Sequence, residues 1–309
     1  MASRIPFFIV FVVLMASEPA SAQVYRFLNL PASPRLAALG GQPVSLPDAS
    51  AAMTHANPAY LSSSHHRQFT SSIARQVGDI TLGYAAFAYD LPRLGTLSAA
   101  VRYAGYGTLT ERDASGQTLA TFGAYDMAAT LGVATSVGSA LRYGLSLNLI
   151  RSDYTHTAST AWSVSGGLLL TLPEQQGSLG VALLNAGNQI SGFNGTRETL
   201  PLDLRAGYSR KLMYLPLRLS VTGSHLHDWD IPLAEHLELG GEFLFSESFI
   251  LRLGYNHRAH EALKTDNRID LSGVGVGLGL RIKGVRVDMS RTSQSVVGPI
   301  HHVGTTIHF

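Results

Sequence analysis

The chain has 309 residues, of which 14% are charged, 31 are glycine and none is cysteine, with a formal net charge of +2. The lack of cysteine excludes a lipid-modified cysteine on a mature chain, a disulfide framework and cysteine-ligated metal, and so small a net charge gives no ground for a nucleic-acid partner. Soluble proteins carry about 25% charged residues, so low charge combined with many glycines points to a transmembrane β-barrel rather than a soluble domain.

The first residues read as an export signal. Met1 to Arg4 is a short basic start, Ile5 to Ala16 is apolar, and Ala20 to Ala22 supplies small residues before Gln23. The apolar run is shorter than the ~20 residues of a membrane helix, so residues 1–22 are expected to be removed and the mature protein to be exported to the outer membrane.

Residues 23–65 differ in character from the rest of the chain. In "SPRLAALG", Ser33 is placed to cap one or two helical turns, Pro34 to occupy the first position and Gly40 to stop them. "DASAAMTHANPAYL" offers another short helix, capped by Asp48 and ended before Pro58. Both are rich in alanine and poor in charge, so they need a surface to lie against. We expect this segment to fold into a barrel lumen as a plug, with Arg35 meeting an interior carboxylate and Gly40–Gly41 turning the chain back.

From residue 66 to 309 the pattern has a period of two. Leu141, Tyr143, Leu145, Leu147 and Leu149 alternate with Arg142, Gly144, Ser146 and Asn148. Phe249, Leu251, Leu253 and Tyr255 alternate with Ile250, Arg252, Gly254 and Asn256, and Val274, Val276, Leu278, Leu280 and Ile282 alternate with glycines and Arg281. Runs of this length suit a tilted strand crossing a bilayer.

Strands are expected near 66–77, 79–90, 94–106, 121–135, 140–152, 161–172, 177–187, 202–212, 216–226, 236–245, 248–258, 269–282, 284–292 and 302–309. Their number, about 14, is even, as single-chain bacterial barrels require. Short connectors such as "LPRLG", "VGSA", "FSES" and "KG" alternate with longer ones such as "ERDASGQTL", "NQISGFNGTRETLP", "HDWDIPLAE" and "RAHEALKTDN". No helical or linker segment is expected to divide the barrel. The fold class is therefore all-β: a transmembrane antiparallel barrel with a short N-terminal helical or irregular plug.

No enzyme motif is present. "GVGVGLG", Gly273 to Gly279, looks like a nucleotide-binding loop, but its strict alternation reads as a strand with glycines facing a crowded interior. The histidine groups His65–His66, His225–His227 with Asp228, and His301–His302 read as loop or interface residues, since neighbours on a strand point to opposite faces. No cofactor is expected. Arg142, Arg205, Glu238, Glu242, Arg252, Arg286 and Asp288 fall on lumen faces, where opposite charges can satisfy them, as in a salt-bridge ladder around a filled interior. The chain stops on Phe309, with Ile307, Thr305 and Val303 on one face, an ending that resembles the assembly signal of bacterial outer-membrane barrels.

The block "YRFLNLPASPRLAALGG", then "VSLPDASAAMTHANPAYLSS" and "GDITLGYAAFAY", resembles the PorQ family of the type IX secretion system, related to PorV and to the fatty-acid transporter FadL. The matching residues are Phe27, Leu28, Asn29, Leu30, Pro31, Arg35, Ala37, Ala38, Leu39, Gly40, Gly41, Asp48, Asn57, Pro58, Ala59 and Leu61; Tyr60 stands where a second aliphatic is usual. The resemblance implies a non-enzymatic outer-membrane component that anchors the attachment complex of the sortase PorU with PorV and PorZ. PorZ would be the foremost partner, beside the membrane lipids. The alternative is a FadL-like carrier of hydrophobic solutes, which would show an apolar pocket in the lumen and a lateral opening. A water-filled porin comes third.

Overall fold

The structure, a computed structural model, describes residues 24–112, 115–154, 157–193, 195–265, 270–295 and 298–309. The expected export signal lies outside them. Fourteen antiparallel strands close into one barrel: β1 (Gln68–Arg75), β2 (Thr81–Leu91), β3 (Gly95–Arg112), β4 (Thr118–Val137), β5 (Leu141–Tyr154), β6 (Thr157–Leu172), β7 (Gly177–Ser191), β8 (Asp203–Lys211), β9 (Leu217–Gly223), β10 (Leu237–Leu244), β11 (Phe249–Asn256), β12 (Val274–Ile282), β13 (Val285–Thr292) and β14 (Ile300–His308). Closure is made by β1 on β14, from Gln68 opposite His308 to Arg75 opposite His301. Closing the sheet leaves no edge with unpaired amides, which a bilayer would penalise.

The alternation read in the sequence is the alternation of the wall. Leu145, Leu147 and Leu149 face outward while Ser146, Asn148 and Ile150 are buried inward. Beyond Leu149 the outward face of β5 turns polar, with Arg151 paired to Asp153 at 3.1 Å, and this change marks one edge of the apolar band. The four short connectors named above lie at the end carrying both ends of the barrel sequence, and the four longer ones at the far end, here called the loop end. Gly116 and Gly195, in two loop-end connectors, take φ of +84° and +80°.

The wall is uneven in height. β3 to β7 run for 14 to 20 residues, whereas β8 to β14 and β1 run for only 7 to 9. The tall strands exceed the expected bounds because pairing continues past the apolar band, where alternation fades and periodicity gives no signal. Glu111 and Arg112, expected in a loop, belong to β3 and pair with Ala120 and Thr118. Among the described residues one α-helix stands in the barrel portion where none was expected. His257–Leu263 starts from Asn256, whose side chain accepts from the Ala259 amide. Ahead of β1, residues 24–65 fill the lumen as a helix, Pro34–Ala38, and four 3₁₀ turns: Arg26–Asn29, Ala51–Met53, Pro58–Tyr60 and Ser63–His65.

Candidate functional site: the filled lumen

Glycine on the inward face makes room for this segment. A Cβ on Gly275 would lie 2.4 Å from the Ala37 carbonyl oxygen, and one on Gly277 2.5 Å from the Ala38 Cβ. On the opposite side, Gly180 abuts Val44, Gly167 abuts Asn57, and Gly144 abuts Pro58. The plug thus crosses the inner wall along a track of glycines on β5, β6, β7, β11, β12 and β14. The "GVGVGLG" strand supplies part of it, with its glycines inward as its alternation implied.

Locally the plug follows its sequence. The Ser33 hydroxyl accepts from the Leu36 amide at 3.3 Å, Pro34 opens the helix, and Gly40 at φ +81° ends it. Asn57 caps the turn at Pro58 by accepting from the Ala59 amide at 2.9 Å. Asp48, expected as a helix cap, does not act as one. The residues after it form only the 3₁₀ turn Ala51–Met53, and its carboxylate pairs with Arg35 at 2.9 Å and Arg218 at 2.7 Å. Tyr60, the departure from the family pattern, is fully buried, donates to the Pro43 carbonyl at 2.6 Å and accepts from the Leu46 amide at 3.0 Å.

An ion cluster fixes the base of the plug to the low wall. Arg35 reaches Glu242 through Nη2 at 2.7 Å and Nε at 2.9 Å, a two-point contact. Glu242 also takes Arg252 at 2.9 Å and Arg218 at 3.1 Å, and Arg252 continues to Asp288, which takes Arg286. Four guanidiniums therefore share three carboxylates. A second group joins Arg205 to Asp203 at 2.6 Å and Glu238 at 3.1 Å, with the Gln42 amide donating to Glu238 at 2.9 Å. Arg142 donates to the carbonyls of Tyr60 and Pro47. The inward charges read from the sequence all face the lumen, and Arg35 meets a carboxylate there. Arg102, Asp126, Asp203 and Arg218 were missed, although each alternates with outward neighbours as the named ones do.

Toward the loop end the lumen holds a second apolar cluster, bordered by the buried Asp126, Ser159 and Gln189. Tyr25, Phe27 and Leu28 pack with Ala104, Ala128, Ile150, Ala161 and Leu200, joined by Val24, Leu82 and Tyr106. The plug tip thus occupies this compartment. Of the other block residues, Asn29 gives its carbonyl to the Gln42 side chain at 2.6 Å, Leu30 is exposed, Pro31 is partly buried and Leu39 is buried. Phe309 is exposed beyond the end of β14, its amide donating to the Arg67 carbonyl at 3.1 Å.

Beside the compartment the wall is interrupted. β7 pairs with β8 only as far as Leu184 opposite Asp203, and its last residues have no β8 partner. The pairing of β7 with β6 slips between Val164 and Gly166, where Asn185 takes a left-handed φ of 59°. Asn185 Nδ2 donates to the Pro201 carbonyl at 3.1 Å, and the neighbouring Leu200 enters the lumen. An apolar concavity of about 720 Å³ lies on the lipid-facing side of β8 to β12, lined by Leu219, Val221, Leu239, Phe243 and Leu253 around Gly241. Among the described residues no three His, Asp or Glu side chains converge to hold a metal. His225 and His227 stack at 6.4 Å, whereas His302 points inward and His301 outward.

No family model and no curated protein matches the chain, so the PorQ resemblance gains no support from either comparison. Solved structures are similar in fold. A TodX monoaromatic hydrocarbon channel mutant matches with TM-score 0.57 at 13% identity, over 91% of this chain and 100% of that one. The toluene transporter TbuX of Ralstonia pickettii matches with TM-score 0.55 at 14% identity, over 91% and 98%. A Pseudomonas aeruginosa FadL homologue matches with TM-score 0.54 at 9% identity, over 91% and 98%. At such identities the likeness is one of fold alone.

Proposed function

We propose that this chain is a non-enzymatic outer-membrane barrel that passes a small apolar solute between its loop-end compartment and the bilayer, reversing the order of the two readings drawn from the sequence. The observation that carries the proposal is the interrupted wall at Asn185, set beside an apolar compartment filled by the chain's own tip. The base of the plug is held by ion pairs as well as by apolar packing, whereas among the described residues the tip is held by apolar packing, Tyr25 and Arg102 without an ion pair, so the tip is the displaceable part. Fold likeness to channels described for monoaromatic hydrocarbons and toluene supports the reading.

The test is uptake of labelled toluene by cells or vesicles carrying the barrel, compared with empty controls and with a chain lacking Val24–Leu28. Uptake above the control, faster in the shortened chain, is expected. No uptake from either sinks the reading.

Docking of an attachment complex stays as the second proposal, with PorZ foremost. One observation favours it: the loop between β9 and β10 displays Trp229 at 88% and Leu233 at 81% exposure. Such large apolar side chains suit a protein contact. Purification from outer membranes in mild detergent, with and without Trp229→Ala, tests it. Failure to recover PorU, PorV or PorZ with the unaltered chain counts against it.

A further inference from the structure

Arg102 stands apart from the ion clusters. It projects inward from β3, is 8% exposed, and among the described residues has no carboxylate within ion-pairing distance. Its Nη1 donates to the carbonyls of Phe27 at 3.1 Å and Leu28 at 2.6 Å, while its buried Nη2 has no partner in the protein. Two carbonyl dipoles offset part of a buried positive charge, but a charge in a dry interior is stable only when paired.

Arg102 lines a cavity of about 20 Å³ with His55, Thr130, Ser146, Asn148 and Asn185. Both ring nitrogens of His55 are buried and without a partner. One ordered water needs about 10–15 Å³ on this measure, so the space takes a single small species and excludes a hydrocarbon. Its lining supplies a fixed cation and several N–H and O–H groups, but no carboxylate.

We propose that this cavity binds one small monovalent anion of the halide class, with Arg102 as its counter-charge. The anion completes the pairing that the ion clusters lack at this point. Because Arg102 also holds the Phe27 and Leu28 carbonyls, occupancy strengthens docking of the plug tip and makes its release sensitive to halide. Halide binding here is independent of whether the barrel passes a solute or docks a protein.

The full chain in detergent, carrying Val24→Cys as its single cysteine, reports tip release through maleimide labelling in sodium chloride or sodium gluconate at equal ionic strength. Chloride at ten times its Kd is expected to slow labelling about tenfold, and Arg102→Gln to abolish that dependence. Ser146→Asp supplies a fixed carboxylate instead, so it is expected to keep the tip docked in both salts, and it remains usable should Arg102→Gln fail to insert. A bromide-grown crystal is expected to show anomalous density beside Arg102. Equal labelling in both salts, halide dependence that survives in either variant, or water alone at the site overturns the proposal.

Discussion

Gly40 of the plug and Gly254 of β11 meet backbone to backbone: a Cβ on Gly254 would stand 2.2 Å from the Gly40 nitrogen, and one on Gly40 2.6 Å from the Tyr255 nitrogen. Neither side can yield, because backbone rather than a flexible side chain stands opposite, and Gly40 also needs its φ of +81°. Gly254→Leu is therefore expected to unseat the plug without opening the barrel, weakening docking by about 3 kcal/mol or more. Labelling of Ala38→Cys, otherwise fully buried, should rise sharply while heat-modifiable migration persists. A plug that stays protected in Gly254→Leu would show that the two backbones do not touch.

Arg35 and Glu242 are 207 positions apart and form the central contact of the plug. Removing one member of a buried pair costs about 3–5 kcal/mol, because the other is left uncompensated. In Arg35→Ala, Glu242 keeps Arg218 and Arg252. In Glu242→Ala, three guanidiniums lose their shared anion. Glu242→Ala is thus expected to be the more damaging, and the double variant less damaging than the sum of the two. Protease resistance of residues 24–65 measures both, and strict additivity would contradict the contact.

These two cases mark what the sequence discloses. Leu145 beside Ser146 announces a strand and both of its faces, since a barrel wall repeats every two residues. The seating helix is equally legible, because Ser33, Pro34 and Gly40 act on their immediate neighbours. That Arg35 needs a carboxylate follows from its place in an apolar segment, but which one does not, since Glu242 comes near only when the barrel closes. Asp48 misleads for the same reason: locally it is a good helix cap, and two arginines brought by the fold claim it. Asn185 gives no signal, because a bulge is a property of pairing with β6 rather than of β7 alone.

His65 gives the plug a pH dependence. It lies ahead of β1, buried; its Nδ1 accepts from the Ser62 amide at 3.0 Å and its Nε2 donates to the Ala49 carbonyl at 2.6 Å. Burial, with Arg142 and His308 nearby, lowers its pKa, because a charged ring loses hydration and a second ring proton would displace the Ser62 bond. The unfolded chain takes that proton more readily. The stabilisation is therefore present above the ordinary histidine pKa of about 6.5 and is lost as pH falls toward the lower folded value. The thermal midpoint is expected to drop below about pH 6.5, and part of that drop to vanish in His65→Asn, which keeps an acceptor for Ser62. Superimposable pH profiles would remove His65 from the account.

Leu145 and Ser146 test the two faces of β5 with one kind of charge. Leu145 is 56% exposed on the outward face between Val133 and Gly166, well inside the apolar band. Lysine there must be carried into lipid at about 2–4 kcal/mol, so Leu145→Lys is expected to lower the yield of inserted barrel. From the alternation alone, any charge at Ser146 would be mild. Its neighbours sharpen that expectation, because Ser146 lines the small cavity that Arg102 also lines. Ser146→Asp places a negative charge in the same cavity as the Arg102 guanidinium and is expected to be tolerated, whereas Ser146→Lys puts a second cation in that cavity and is expected to loosen the plug tip. Insertion yield read by heat-modifiable migration separates Leu145→Lys from the Ser146 pair, and tip labelling separates aspartate from lysine. Equal insertion defects at Leu145 and Ser146 would reverse the face assignment, and equal tip labelling for the two Ser146 variants would mean that Arg102 leaves no net positive field in the lumen.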